Sequence, residues 1–280
     1  GVPIIGEVTA TNMSYHASIE KTGDKTGLDG VLNFPLYYTA QAAFCHTFFP
    51  KATGNLTFLG ARMIEQGSEG LYANIDTLGN FIDNHDVDRL YHICKGDVSR
   101  MLNAITWTML SKGTPIIYYG TEDGRVHEQR ESMWNYNYTH GRGWHWLQQM
   151  NKLRKEFNLR TASQRVLPFV NHAKLAISRG DDNEVWIYLN NMESGDEVVR
   201  YCSNLPQRPN PDKVWTNYLS GQPAAYDGDG CLRSRNNIPL ILVQRKVEDI
   251  LDGEVTEWDR GVDLPTPKPH GLEDVYKHLG

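Results

Sequence analysis

The chain has 280 residues, of which 40% are hydrophobic and 22% charged, so composition predicts a folded core and excludes a disordered chain. A formal net charge of −6 argues against nucleic acid as the main partner. No apolar run approaches the ~20 residues needed to cross a bilayer, so no membrane partner is expected.

Strand and helix patterns alternate along residues 1–159. Short apolar runs typical of buried parallel strands occur at Val2–Val8, Gly30–Leu32, Leu78–Asp83 and Thr114–Tyr119. Helices are predicted at Leu36–Phe49, from an Asp97 N-cap through Leu110, and at Trp144–Phe157. Trp107 lies off the apolar stripe of the second helix, which indicates burial on more than one side. Four strand–helix units indicate a parallel α/β sheet, either doubly wound or half of a (β/α)₈ TIM barrel, which takes ~250 residues when complete.

Beyond Arg160 the pattern changes to short β-branched or alternating runs separated by turn residues. The predicted strands are Lys174–Ser178, Glu184–Asn190, Glu197–Tyr201, Lys213–Asn217 and Pro239–Gln244. They predict a small antiparallel β-sandwich over residues 160–245. Residues 246–280 contain nine acidic and four basic side chains and the run Pro265–Pro269, which indicates a linker or tail.

Acidic residues follow three of the parallel strands, as Glu7, Asp86 and Glu122. Ligands of parallel α/β sheets bind beyond the carboxyl ends of the strands. Two carboxylates at one cavity suit glycoside hydrolysis, in which one donates a proton and another stays ionised. The alternative is that Glu7 caps a loop and Asp86 pairs with Arg89 at the surface.

Four segments together resemble the α-amylase family, glycoside hydrolase family 13, and are most like the fungal enzymes. Gly6–Val8, Asp29–Tyr38, Phe81–Asp86 and Gly113–Glu122 are similar, in that order, to the family motifs of barrel strands five to eight. The resemblance covers residues 1–245. It implies the C-terminal half of a TIM barrel, over residues 1–159, followed by the family's C-terminal β-sandwich.

The resemblance also implies roles for single residues. Glu7 matches the general acid/base, and Asp86 matches the carboxylate that stabilises the transition state. His85 matches an imidazole that hydrogen-bonds the same sugar unit, and Arg130 resembles an arginine that lines the cleft after strand eight. An arginine so close to Trp134 could equally be a packing or ion-pair residue. In the family, an aspartate shortly precedes the arginine that Arg130 matches. The segment Asp123–Gln129 does not reproduce this pattern, and we expect the difference to affect the preference for sugar subsites.

Other family features have no counterpart in the 280 residues. The nucleophile is an aspartate on strand four, and the structural calcium ligands lie before the position of Gly1, so no metal or other cofactor is expected here. Gly1–Ile5 resembles neither a natural start nor a signal peptide, so we expect a piece of a longer protein. The piece alone is predicted to be inactive and of low stability, because half a barrel leaves open sheet edges.

Several functional alternatives stay open at this stage. The resemblance implies retaining endo-hydrolysis of α-1,4-glucans such as starch or glycogen by a monomeric parent protein. There are two alternatives. One is transfer of the glycosyl group to another sugar, and the other is carbohydrate binding without catalysis. Cys202 and Cys231 are expected to form a disulfide in the sandwich, whereas Cys45 and Cys94 either pair or stay as buried thiols. Sequons at Asn12, Asn55 and Asn137 favour a secreted protein, although such triplets also arise by chance.

Overall fold

A computed structural model of the chain describes most of residues 2–245. The described residues are 2–20, 26–125, 130, 132–136, 138, 142–195, 198–202, 208–224 and 226–245. The predicted tail at residues 246–280 lies outside them. Among the described residues, no helix is long and apolar enough to cross a membrane.

The first part of the chain alternates short parallel strands with helices. Its strands are β1 (Ile5–Gly6), β2 (Gly30–Val31), β3 (Gly79–Asn80) and β4 (Thr114–Pro115). Its helices are α1 (Met13–Ala17), α2 (Phe34–Cys45), α3 (Leu56–Gln66), α4 (Leu90–Ile93), α5 (Val98–Leu110) and α6 (Arg142–Glu156). Two 3-10 turns lie at Ile75–Thr77 and Met133–Tyr136.

The four strands lie side by side in chain order. β1 pairs in parallel with β2, a bridge from Leu32 to Gly79 joins β2 to β3, and β3 pairs in parallel with β4. The carboxyl ends of all four strands therefore lie at one edge of the sheet, as the sequence predicted. Within the described part of the chain, β1 has no partner on its other side, and neither has β4.

The paired strand segments are shorter than the apolar runs predicted. β1 was expected to be a buried strand over Val2–Val8, but only Ile5–Gly6 pairs. Val2, Ile4 and Ile5 are 88%, 62% and 47% exposed. The prediction of burial at this strand was wrong, because β1 is an edge strand and nothing in the described residues covers its outer side.

Helix α5 lies in the centre of this part of the molecule. The Asp97 carboxylate caps it by accepting a hydrogen bond from the Arg100 amide at 2.9 Å. Every residue from Ser99 to Leu110 is buried, including Trp107. This confirms the prediction that the helix is buried on more than one side.

The second part of the chain is antiparallel. A five-stranded sheet has the order β5-β6-β7-β11-β9, and β10 pairs with β8 as a separate two-stranded sheet. The strands are β5 (Gln164–Pro168), β6 (Lys174–Arg179), β7 (Val185–Asn190), β8 (Val199–Cys202), β9 (Trp215–Asn217), β10 (Cys231–Ser234) and β11 (Leu240–Gln244). The antiparallel arrangement is as predicted, but β5 and β10 were not predicted.

Both faces of the five-stranded sheet are covered. On one face, residues such as Leu175, Ile187 and Ile241 join the core formed by α2, α3, α5 and α6. On the other face, Trp186 and Tyr188 pack against side chains of the β8–β10 sheet. Because alternate residues of a strand point to opposite faces, one sheet contributes to two cores.

Both cysteine pairs form disulfides. Cys45, the last residue of α2, bonds to Cys94, which follows α4. Cys202 of β8 bonds to Cys231 of β10, as expected. The question left open for Cys45 and Cys94 is therefore decided in favour of a pair.

Candidate active site

Glu7 follows β1 directly at the carboxyl edge of the parallel sheet. The backbone before it is held by the Leu32 amide, which donates to the Gly6 carbonyl at 2.9 Å. A Cβ at Gly6 would lie 2.1 Å from Cδ1 of Leu28, so a larger residue here would require the Leu28 side chain to move. The Glu7 side chain is exposed and makes no hydrogen bond or ion pair with any other described residue.

The loop after β3 carries His85 and Asp86. The carboxylate of Asp83 closes the loop, because its Oδ2 accepts a hydrogen bond from the Leu90 amide at 2.9 Å. The hydroxyl of Thr121 donates to the same carboxylate, at 2.7 Å from Oδ1 and 2.9 Å from Oδ2. Asp83 thus joins both ends of the loop to the segment that follows β4.

The environment of Asp83 is unfavourable to charge. The side chain is 2% exposed, and burial raises the pKa of its carboxyl. The hydrogen bonds from Leu90 and Thr121 and the nearby charge of Arg89 act in the opposite direction. Burial is the largest of these effects.

His85, Asp86 and Arg130 form one exposed cluster. Nη2 of Arg130 lies 2.8 Å from Oδ1 of Asp86, and Nε2 of His85 lies 3.3 Å from Oδ2 of Asp86. Nε of Arg130 also donates to the His85 carbonyl at 3.3 Å. The Arg130, Asp86 and His85 side chains are 70%, 53% and 47% exposed, so all three can contact a ligand.

Arg89 is a buried residue that links the loop of this cluster to Tyr118 and Tyr119. It is 1% exposed, its Nη1 donates to the Tyr119 carbonyl at 2.6 Å, and its guanidinium carbon lies 4.4 Å from the Tyr118 ring centroid. The Tyr118 ring in turn lies 6.3 Å from the His85 ring. Burial, followed by a hydrogen bond with Tyr119, raises the pKa of Tyr118. The loop after β3 and the loop after β4 are therefore joined by cation–π as well as polar contacts.

The structure brings three of the four predicted site residues together. His85, Asp86 and Arg130 are in contact, whereas Glu7 lies two strands away, about 10 Å at the usual spacing of parallel strands. The alternative of a surface pair between Asp86 and Arg89 was wrong, because Arg89 is buried and Asp86 pairs with Arg130. Residues 126–129, where the chain departs from the family pattern, lie outside the described residues.

Sequence reasoning missed the residues that hold the loop in place. From the sequence, Asp83 and Thr121 were only members of the motif segments, and Arg89 was only a possible surface partner of Asp86. Their roles depend on contacts between residues 30 or more positions apart. The one local signal was the acidic residue at the end of the third apolar run, Asp83, which a buried strand would not retain without partners.

A cluster of acidic, histidine or cysteine side chains able to hold a metal ion is absent from the residues that the structure describes. Within them, no group of three or more His, Cys, Asp or Glu side chains converges closely enough to hold an ion.

Comparison with known proteins defines the family. A family model described as "Alpha amylase, catalytic domain" matches residues 2–184. The chain is 31% identical over 215 residues to Alpha-amylase 2 of Schwanniomyces occidentalis, covering 72% of this chain and 40% of that protein. It is 41% identical over 117 residues to Alpha-amylase 2 of Schizosaccharomyces pombe, covering 40% of this chain and 19% of that protein.

Solved structures show the same fold. An α-amylase from Malbranchea cinnamomea superposes with a TM-score of 0.68 at 22% identity, over 89% of this chain and 51% of that one. The α-amylase of Geobacillus thermoleovorans, complexed with acarbose, gives a TM-score of 0.68 at 23% identity, over 87% and 53% of the two chains.

The match to the family model over residues 2–184, together with the fold shared with the solved structures, defines the family. The chain belongs to the alpha-amylase family. It spans less than half the length of the curated relatives described above.

Proposed function

We propose that the protein containing these 280 residues is a retaining endo-hydrolase of α-1,4-glucans such as starch or glycogen. The observation that carries the proposal is the placement of Glu7 beyond β1 and of the His85–Asp86–Arg130 cluster beyond β3, at one edge of a parallel sheet. This edge is where ligands bind in parallel α/β proteins.

In this proposal each side chain has a distinct task. Glu7 protonates the glycosidic oxygen and later takes a proton from water. Asp86 binds sugar hydroxyls and stabilises the positive charge that develops at the anomeric carbon. His85 hydrogen-bonds the same sugar unit, and Arg130 lines the cleft and orients the Asp86 carboxylate through the 2.8 Å contact.

The chemistry needs a nucleophile that we do not assign to any of these residues. A retaining mechanism requires a second carboxylate about 5 Å from the acid/base, and the resemblance to the family implies that this nucleophile belongs to barrel strand four and not to β1–β4. We therefore propose that the nucleophile comes from polypeptide outside the 280 residues, and that these residues alone do not hydrolyse glucans.

The open sheet edges support the same proposal. We assign β1–β4 to barrel strands five to eight, with the outer sides of β1 and β4 available to the remaining strands. Beside β4, a groove of about 780 Å³ lies between Ile117, Tyr119 and the face of α6 that carries Trp144. Exposed strand edges next to apolar surface are sites where further strands pair.

The remaining assignments follow from the family. We propose barrel residues 1–159, sandwich residues 160–245 and a linker at 246–280, in a monomeric protein whose partner is an α-glucan. Structural calcium in the complete protein would be held by residues outside this set. The two disulfides favour an extracellular protein, because such bonds persist in oxidising compartments.

The alternative activities differ in the fate of the glycosyl group. A relative 32% identical over 115 residues is a Cyclomaltodextrin glucanotransferase from Bacillus sp. (strain 38-2), so transfer to sugar acceptors is the second candidate. Product analysis separates the two, because hydrolysis releases reducing ends in proportion to bonds broken and transfer does not. Turnover of any α-glucan would exclude the third candidate function, carbohydrate binding without catalysis.

The test is an assay of the full-length protein on soluble starch, comparing Glu7→Gln with the parent. Loss of the acid/base should lower kcat by roughly 10³-fold, the range for general acid–base catalysis. Glu69→Gln, at an exposed glutamate outside the site, is the matched control and should keep full activity. Parent activity on starch that survives Glu7→Gln would refute the assignment of Glu7.

A further inference from the structure

The three glycosylation sequons have different structural settings. We propose that Asn12 is an N-glycosylation acceptor in the folded protein and that Asn55 is not. Asn137, in the third sequon, lies outside the described residues. The proposal does not depend on the catalytic roles assigned above.

Asn12 presents its amide nitrogen to solvent. It is the N-cap of α1, with extended backbone angles (φ −79°, ψ 116°), and its Oδ1 accepts a hydrogen bond from the Tyr15 amide at 2.9 Å. The side chain is exposed, and its Nδ2 makes no hydrogen bond with any residue that the structure describes. The oxygen is therefore used and the nitrogen is available.

The chemical step leaves this local structure intact. The donor is an oligosaccharide linked through pyrophosphate to a lipid. A bond forms between Nδ2 and the anomeric carbon, the bond from that carbon to the pyrophosphate oxygen breaks, and the lipid pyrophosphate leaves with the electron pair while Nδ2 loses one proton. The product is a secondary amide whose Oδ1 still accepts the Tyr15 hydrogen bond, so the helix cap is preserved.

The surface around Asn12 has room for a glycan. Ser14 of the same sequon and Ser18, on the next turn, are both exposed, and the Tyr15 ring is 59% exposed. Residues three apart on a helix are neighbours, so the first sugar would lie beside the Tyr15 ring. A sugar in this position covers an aromatic surface that is otherwise in water.

Asn55 has the opposite setting. It is half-buried, its Oδ1 accepts from the Phe58 amide at 2.9 Å, and its Nδ2 donates to the Lys51 carbonyl at 3.0 Å. The two residues after it contact the antiparallel sheet domain. The Leu56 amide donates to the His172 carbonyl at 2.7 Å, and the Thr57 hydroxyl donates to the Phe169 carbonyl. The nitrogen of Asn55 and the hydroxyl of Thr57, the two groups of this sequon that the transferase must reach, are therefore both engaged in the folded protein.

The proposal can be tested on the full-length protein secreted from yeast. Peptides would be mapped by mass spectrometry after release of N-glycans by peptide N-glycosidase in heavy-oxygen water, which marks each occupied asparagine as labelled aspartate. We expect the label on Asn12 and not on Asn55. A flexible tag that carries an acceptor sequon serves as the positive control. Its glycosylation shows that the transferase has acted on the chain.

Two substitutions at one position separate modification from folding. Ser14→Ala removes the sequon but keeps the Asn12 cap, and it should abolish the label at Asn12. Ser14→Thr keeps the sequon and should retain the label. An unlabelled Asn12 in both the parent and Ser14→Thr, with the tag modified, would overturn the assignment, and so would a label on Asn55 in the secreted protein.

Discussion

The Asp83 carboxylate and the Leu90 amide, 2.9 Å apart, close the loop that presents His85 and Asp86. Thr121 donates to the same carboxylate, so the loop after β3 is fixed to the segment after β4. The buried carboxylate of Asp83 thus positions the exposed His85–Asp86–Arg130 cluster through the loop backbone, without a hydrogen bond to the side chains of the cluster. Positioning of this kind determines how closely a site matches its transition state.

Replacement of Asp83 should destabilise this loop. Asp83→Ala leaves the Leu90 amide and the Thr121 hydroxyl unsatisfied and should lower the free energy of unfolding by about 3 kcal/mol. Asp83→Asn keeps the shape and one acceptor and should cost about 1 kcal/mol, because burial already disfavours the charged form. Denaturant unfolding, with hydrogen exchange of amides 84–90, measures both effects.

The matched control for Asp83 is Asp88→Ala, at an exposed acid of the same loop. It should change stability by no more than about 0.5 kcal/mol. The pH dependence adds a second check. Since folding raises the pKa of Asp83, its contribution to stability is greatest below the unfolded pKa and declines as pH rises through the folded value. Asp83→Asn should lack that decline.

Arg179 joins the antiparallel sheet to the helical layer. Its guanidinium donates to four backbone carbonyls, that of Leu110 at the end of α5 and those of Leu159, Ala162 and Ser163 between α6 and β5. Burial lowers the pKa of Arg179 to about 10, so it stays charged at neutral pH. Arg179→Met should cost about 3 kcal/mol in the free energy of unfolding, because the buried carbonyls lose their donors.

Arg165→Met is the control for this substitution. Arg165 is exposed on β5, the strand beside β6, so its replacement should change the unfolding free energy by no more than about 0.5 kcal/mol. Equal losses from the two variants would show that Arg179 contributes only packing of its aliphatic stem, and not the carbonyl contacts.

Asp227 should make the β8–β10 sheet sensitive to acid. Hydrogen bonds from the Cys231 amide, then from Arg200 and Arg233, hold the pKa of the Asp227 carboxyl well below its usual range. A lowered folded pKa stabilises the protein above the unfolded value, near pH 4, and this stability is lost as pH falls towards the folded value. The melting temperature of Asp227→Asn should therefore depend less on pH in this window than that of the parent.

Asp182→Asn, at an exposed acid in a turn, provides the comparison for Asp227. Its melting temperature should follow the parent at every pH. If Asp227→Asn also follows the parent over the acid range, the ion pairs with Arg200 and Arg233 do not set the acid stability of this sheet.

The Cys45–Cys94 disulfide closes a loop of 49 residues that contains the His85–Asp86 segment. Replacing both cysteines by alanine should lower the free energy of unfolding by about 4 kcal/mol, mainly because the unfolded chain regains freedom. The matching Cys202/Cys231 double variant opens a 29-residue loop and should cost slightly less. Unfolding in denaturant ranks the two, and a larger loss from the Cys202/Cys231 pair would contradict this order.

The local sequence was sufficient to predict the parallel strands and helix α5. Four apolar runs between turn residues predicted the positions of β1–β4 along the chain, although only β2 and β3 are buried and the edge strands β1 and β4 are partly exposed. The Asp97 cap and the apolar stripe after it predicted α5 in the same way. The polar ends of those strands also located Glu7 and Asp86, since side-chain periodicity and capping are properties of neighbouring residues.

Tertiary contacts decided the rest. Helix α3 was not predicted, although its Asn55 N-cap and its apolar residues at helical spacing are local signals; its packing depends on Gly60, where a Cβ would lie 2.9 Å from Pro168 of the antiparallel sheet. The burial of Arg89, the Cys45–Cys94 bond and the Arg130–Asp86 pair each join segments far apart in the chain. No local pattern encodes such partners, because they come together only when the strands and helices pack. The sequence by itself determined the four parallel strands, helix α5 and the acids that follow the strands, and the packing determined what holds those acids in place.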